Sequence, residues 1–197
     1  MLTLTHNTFV ASQQLKAGHW KKPDSRQLSG SVVGIIGLGN VGKEVAKRLK
    51  PFGCRVLAND LVDISSTCNE LGLEVASKDE IYSQCDIISL HVPLTPETHH
   101  LMEDETFTRL KSNALLINTA RGSVVKQSSL IEALKSGKIA GAALDVFEKE
   151  PCCDPKLLNL PNLVATPHMG ANTSEAAQAM GSSAIQHLQN HFSQPNT

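Results

Sequence analysis

The sequence predicts an α/β fold, a doubly wound parallel sheet with helices on both faces, and three observations carry that expectation. Short apolar runs alternate with amphipathic segments along nearly the whole length. The runs place Val, Ile, Leu and Ala on consecutive positions, the pattern of strands buried on both faces. A glycine-rich turn joins the first such run to a segment of helical spacing. At 197 residues the chain is long enough for one substantial core and falls in the usual range of a single domain, 1–197.

In order, the first element is a helix from about Leu4 to Ala17, within residues 1–20. Its apolar residues Leu4, Phe9, Val10, Leu15 and Trp20 either pack on the sheet or form an interface between two copies of the chain. Lys21-Lys22-Pro23-Asp24 reads as the joint to the sheet. Val32-Val33-Gly34-Ile35-Ile36 is the first strand, and Lys43 to Leu49 a helix with Val45, Ala46 and Leu49 on one face. Cys54 to Asn59 is the second strand and Leu73 to Ala76 a short third, followed by a brief helix from Lys78 to Gln84. Asp86 to Val92 is a strand stopped by Pro93, and Glu103 to Leu110 is helical. Ala114 to Asn118 is a strand, then a helix runs from about Gln127 to Ser136 with Gly137 just past its end. Ile139 to Val146 and Asn162 to Thr166 are the last strands. A helix over 173–192 closes the pattern, with Thr173 or Ser174 near its N-cap. The strand order should reverse beside the first strand, with ligand beyond the strands' carboxyl ends.

The turn Gly37-Leu38-Gly39-Asn40-Val41-Gly42 stands between a buried strand and a helix, and the next strand ends in Asp60, eighteen residues after Gly42. That is the context of a Rossmann-type dinucleotide-binding unit rather than of an ordinary tight turn. Gly37 permits the turn, Gly39 lets backbone approach a pyrophosphate, and Gly42 lets helix pack on strand. The helix then aims its free amides and positive end at the phosphates. Asp60 would accept both adenosine ribose hydroxyls and repel a 2′-phosphate, which favours NAD over NADP.

Bulk properties exclude other classes. Net charge is −1 with both signs interspersed, so there is no electrostatic footprint for nucleic acid or for an anionic membrane. No apolar run approaches the roughly 20 residues that span a bilayer, and no signal-peptide segment opens the chain. A cytoplasmic location is the default expectation. Cys54, Cys68, Cys85, Cys152 and Cys153 lack CxxC spacing and read as free thiols suited to a reducing compartment. His99-His100 invites a metal, yet adjacent side chains should diverge and no Cys, Asp or Glu cluster completes a site, so none is expected.

Polar residues gather just past the later strands. Arg121 follows Asn118-Thr119-Ala120, Asp145 ends the next strand, Glu150 comes five residues on, and His168 follows the last strand. Singly, Arg121 has an ordinary explanation as a surface ion pair, Glu150 as a solvated charge and His168 as a ring packed beside Pro167. Together on one rim they suit a carbonyl acid. A guanidinium grips a carboxylate, an imidazole exchanges a proton with oxygen, and a carboxylate orients the ring.

Five ordered motifs now resemble a known family over nearly the whole chain. They are Gly37 to Gly42, His91-Val92-Pro93-Leu94-Thr95-Pro96-Glu97-Thr98, Asn118 to Gly122, Ala143 to Pro151 and Thr166-Pro167-His168-Met169-Gly170. They are similar to the D-isomer-specific 2-hydroxyacid dehydrogenases, in particular their phosphoglycerate dehydrogenase and glyoxylate/hydroxypyruvate reductase branches. The resemblance implies NAD as cofactor, a small 2-oxo or 2-hydroxy acid as substrate, and a homodimer in which the N-terminal helix region takes part. It implies that Arg121 binds the substrate carboxylate, that His168 is the acid/base and that Glu150 is its partner. It implies that Asp145 holds the nicotinamide carboxamide and that Asn40 and Val41 meet the pyrophosphate. Val92, Pro93, Thr98, Thr119, Ala120 and Gly170 fall at cofactor-lining positions. Family members carry a separate substrate domain before the helix that opens this sequence, whereas Met1 stands almost at that helix. The expectation is therefore a chain holding the cofactor site and the Arg–Glu–His set, weakly active or inactive alone. The alternative is a non-catalytic NAD-binding or dimerisation module.

Overall fold

The computed structural model describes residues 1–193, which fall into two units, Met1–Pro167 and the segment from His168 onward. The first unit is built on one parallel sheet of seven strands, ordered β3-β2-β1-β4-β5-β6-β7. In chain order these are β1 (Val32–Ile36), β2 (Arg55–Asn59), β3 (Glu74–Val75), β4 (Ile87–Leu90), β5 (Leu115–Asn118), β6 (Gly141–Leu144) and β7 (Leu163–Ala165). The order reverses between β1 and β4, as the sequence predicts. In register, Ile36 pairs with Asn59 on one side and with Leu90 on the other, and Leu90 pairs with Asn118. The carboxyl ends of the central strands therefore line up along one rim.

The strands separate two cores, and strict alternation assigns each side chain to a face. Val33 and Ile35 point to one core with Ala46, Leu49, Cys68 and Leu4. Ile36, Ile88, Leu90 and Leu116 point to the other with Ile81, Phe107, Leu130 and Leu134. The first face is covered by α3 (Asn40–Leu49) and α4 (Ser65–Leu71), the second by α5 (Lys78–Gln84), α6 (Asp104–Arg109) and α7 (Gln127–Lys135). α5 carries a full capping box, with Ser77 and Glu80 satisfying each other's backbone amides, which fixes its start where the sequence places it. All five cysteines are free, and burial pushes the Cys85 thiol up to about 12. No helix among the described residues is long and apolar enough to cross a membrane.

Several expectations are corrected. The N-terminal helix is two helices, α1 (Leu2–Thr5) and α2 (Thr8–Lys16), and residues 17–20 lie outside both. Asn7 breaks them by adopting the left-handed region at φ 49°, where its side-chain Nδ2 donates to the Asp24 carbonyl at 2.5 Å. Of its apolar residues only Leu4 is buried, while Phe9, Leu15 and Trp20 stay exposed. The helix after the glycine turn begins at Asn40, a turn earlier than its apolar spacing indicates. α4 and the short α8 (Pro155–Leu158) are additional elements. α4 is rich in Ser, Thr and Asn, and forms because the Asp63 carboxylate accepts the Ser65 amide and hydroxyl, Cys68 is buried, and Gly72 closes it in the left-handed region. The rings of His99 and His100 do not diverge but lie 3.8 Å apart, tilted by 31°.

In the second unit, α9 (Ser174–Ser193) starts close to the expected point. The Thr173 hydroxyl accepts the Ala176 amide at 3.1 Å, an N-cap bond.

Candidate active site

The glycine turn is shaped by close backbone approach. Gly37 has φ 96°, its amide donates to the Asn59 carbonyl at 2.8 Å, and a Cβ there would stand 2.6 Å from the His91 carbonyl. A Cβ on Gly42 would stand 2.1 Å from the Gly37 oxygen, so the first turn of α3 rests directly on the loop. Nothing lies within 4 Å of a Cβ on Gly39, which caps α3 without a side-chain bond. The amides of Asn40, Val41 and Gly42 are those an α-helix leaves without intrahelical acceptors. Bare backbone donors, open space and the positive helix end fit a pyrophosphate.

Asp60, partly buried at the end of β2, belongs to the same turn. One carboxylate oxygen accepts the Leu38 amide at 2.6 Å and the other the Leu61 amide at 2.7 Å. A carboxylate offers about four lone-pair sites, so hydroxyl donors can still be accepted.

Beyond β4, the His91 amide continues the ladder to the Ile36 carbonyl at 2.8 Å. Its ring nitrogen Nε2 lies 2.9 Å from the buried Ser89 hydroxyl, and burial lowers the imidazole to about 4, which keeps it neutral. Val92 packs against the core and Pro93 is exposed. The Thr98 hydroxyl accepts the Thr95 amide at 2.8 Å and donates to the Pro93 carbonyl at 2.6 Å, closing this loop into a rigid turn.

After β5, the fully buried Asn118 shapes the turn that carries Arg121, a role the sequence does not single out. Its Oδ1 accepts the Ala120 amide at 3.0 Å and its Nδ2 donates to the Arg121 carbonyl at 2.9 Å. Thr119 is thereby left exposed and Ala120 buried. Arg121 is exposed, and its Nη1 donates to the Ala120 carbonyl at 2.6 Å.

Asp145 ends β6 as a buried acid, its amide donating to the Asn118 carbonyl at 3.0 Å and its Oδ1 accepting the Thr166 hydroxyl at 2.6 Å. Glu150 is exposed, and its Oε1 accepts the Phe147 amide at 3.0 Å. The first unit thus brings the Gly37 turn, Asp60, the His91–Thr98 loop, Arg121, Asp145 and Glu150 to the carboxyl rim of adjacent strands. His168 opens the second unit, exposed at φ 50°, with Met169 and Gly170 following it. Among the described residues no group of three His, Cys, Asp or Glu side chains is disposed to hold a metal ion.

Comparison with known proteins gives a consistent result. The family model described as D-isomer specific 2-hydroxyacid dehydrogenase, NAD binding domain, matches residues 1–170. A D-3-phosphoglycerate dehydrogenase of Methanocaldococcus jannaschii is 42% identical over 184 residues, covering 92% of this chain and 35% of that protein. A hydroxypyruvate reductase of Thermotoga maritima is 39% identical over 193 residues, covering 95% of this chain and 62% of that protein. The solved glyoxylate reductase from Paecilomyes thermophila superposes with a TM-score of 0.92 at 31% identity, over 98% of this chain and 60% of that one. The chain thus spans from about a third to about three fifths of these relatives.

Proposed function

The chain belongs to the D-isomer specific 2-hydroxyacid dehydrogenases through their NAD-binding domain, and from that premise we propose that it supplies the cofactor-holding and proton-handling part of an oxidoreductase acting on a small 2-oxo or 2-hydroxy acid. The observation that carries this reading is the shared rim, on which the open Gly39 approach, Asp60, Arg121 and the buried Asp145 follow β1, β2, β5 and β6.

Bound NAD(H) supplies the hydride that is exchanged with C2 of the acid. This chain's residues do the rest. The amides of Asn40 and Val41 hold the pyrophosphate, and Asp60 takes the adenosine ribose. Val92, Pro93, Thr98, Thr119, Ala120 and Gly170 line the cofactor, and Asp145 orients the carboxamide. Arg121 grips the substrate carboxylate in bidentate fashion. The imidazole of His168 gives its proton to the C2 oxygen on reduction and takes it back on oxidation. Glu150 favours the protonated imidazole. Substrate selection lies outside these residues, so the chain by itself is weakly active or inactive.

One observation favours a further role as an association module: Phe9, Leu15 and Trp20 expose large apolar side chains on the N-terminal segment. A homodimer through this segment follows, in a cytoplasmic setting that keeps the free thiols reduced. Isothermal titration with NADH, beside an assay with glyoxylate and hydroxypyruvate, tests the principal reading. Absence of NADH binding refutes it, binding without turnover fits a cofactor-holding part that is inactive alone, and turnover supports the enzyme outright. Sedimentation tests the dimer, and a strictly monomeric species at high concentration removes it.

A further inference from the structure

We propose that His100 is a positioning residue that holds three loops of the site in one register and thereby shapes the nicotinamide half of the cofactor cleft. The inference rests on the NAD-binding reading above and assigns a task to a residue outside it. His100 is one of three non-glycine residues at positive φ among the described residues, at 53°. Such a conformation is uncommon and is retained where surrounding contacts impose it.

Those contacts reach all three loops that follow β4, β5 and β6. His100 lies at the end of the turn closed by the Thr98 hydroxyl between Thr95 and Pro93. Its amide donates to the Ser123 carbonyl at 2.8 Å, two residues beyond Arg121. Two residues on, Met102 pairs with Val125 in a parallel bridge, and the Lys126 amide donates to the Met102 carbonyl at 2.9 Å. The ring reaches the third loop, with Nε2 3.0 Å from Oε1 of Glu148, which stands between Asp145 and Glu150. The same oxygen accepts the Gln127 amide at 3.0 Å, at the first residue of α7.

A partly exposed His–carboxylate pair adds little to stability, since water competes for both groups. Its effect is geometric: the His100 backbone ties the Thr98 turn to the Arg121 turn, and the ring adds the Glu150 loop to that pair through Glu148. A doubly wound sheet seats its two mononucleotides on either side of the strand reversal. Gly37 to Asp60 stand on one side of β1/β4, and Ser123 and Glu148, with the His100 that joins them, on the other. Loss of the ring should therefore be felt by the nicotinamide half and not by the adenosine half.

The test is isothermal titration of the full chain with NADH and, separately, with ADP, which lacks the nicotinamide half. His100→Asn tolerates the left-handed backbone but is too short to reach Glu148, whereas His100→Gln can present an amide donor near the Nε2 position. His100→Asn should weaken NADH binding by about three- to tenfold, the range for a residue acting through others, with ADP binding unchanged. His100→Gln should recover most of the loss. The proposal is overturned if His100→Asn binds NADH like the wild type, if ADP binding falls in parallel, or if His100→Gln is no better than His100→Asn. A wild-type chain that binds no NADH refutes the cofactor reading itself and takes this inference with it.

Discussion

Gly122 lies so close to the backbone of Phe147 that a Cβ on it would stand 1.8 Å from the Phe147 carbonyl carbon. The contact presses the turn that carries Arg121 onto the loop that carries Asp145 and Glu150. Phe147 also donates its amide to the Glu150 carboxylate, so one residue meets both sides of the candidate substrate site. Backbone atoms have no rotamer with which to yield. Gly122→Ala should cost on the order of 1–3 kcal/mol by overpacking, read as a lower urea midpoint at constant m. An unchanged midpoint would mean that the two loops separate without cost.

His91 gives the fold a pH dependence of defined sign. Burial depresses its imidazole from 6.5 to about 4, so between those values the unfolded chain binds a proton that the folded chain refuses. Its contribution is complete above pH 6.5, declines as pH falls, and is gone below about 4. Between pH 7.5 and 5 the loss amounts to about 2 kcal/mol. His91→Leu should remove that part of the pH dependence. Parallel urea series on the two proteins check it, and identical slopes against pH would show that His91 is protonated equally in both states.

The acid/base assignment predicts a separation of effects at His168. Any turnover of glyoxylate or hydroxypyruvate should drop by about a hundred- to ten-thousandfold in His168→Gln, the span of positioned proton transfer, while NADH affinity is kept. A variant that retains turnover would leave His168 as an ordinary exposed side chain.

The features legible in the sequence are those fixed by contiguous residues. Runs such as Val32 to Ile36 announce strands because both faces of a parallel sheet exclude water, and Gly37 and Gly42 announce their turn because adjacent backbone leaves no room for a Cβ. Asp60 and Asp145 stand at strand ends, where the apolar runs before them place them. α4 is hidden in the sequence because its Ser, Thr and Asn residues favour caps over helix interiors, and the Asp63 carboxylate that nucleates it lies outside the helix. The break at Asn7 depends on the Asp24 carbonyl, seventeen residues away. Asn118 reads as a strand terminator, and only the fold reveals its two side-chain bonds to the next turn. No spacing rule brings residues 100, 123 and 148 together, because that meeting belongs to the tertiary order of the strands.

Asp60 supplies the last prediction. Its carboxylate already ties the Gly37 turn to the end of β2 through the Leu38 and Leu61 amides, so it has two separable effects. One is on the shape of the turn, felt by any dinucleotide. The other is its negative charge at the proposed ribose site, which favours free hydroxyls and repels a 2′-phosphate. Asp60→Ala should weaken NADH by about tenfold or more, as expected when hydrogen bonds to a charged acceptor are lost. NADPH should lose less or gain, because the repulsion disappears with the charge. The ratio of the two dissociation constants, measured by titration, is therefore more informative than either alone. A parallel loss for both cofactors would confine Asp60 to holding the turn, and an unchanged NADH affinity would place the ribose out of its reach.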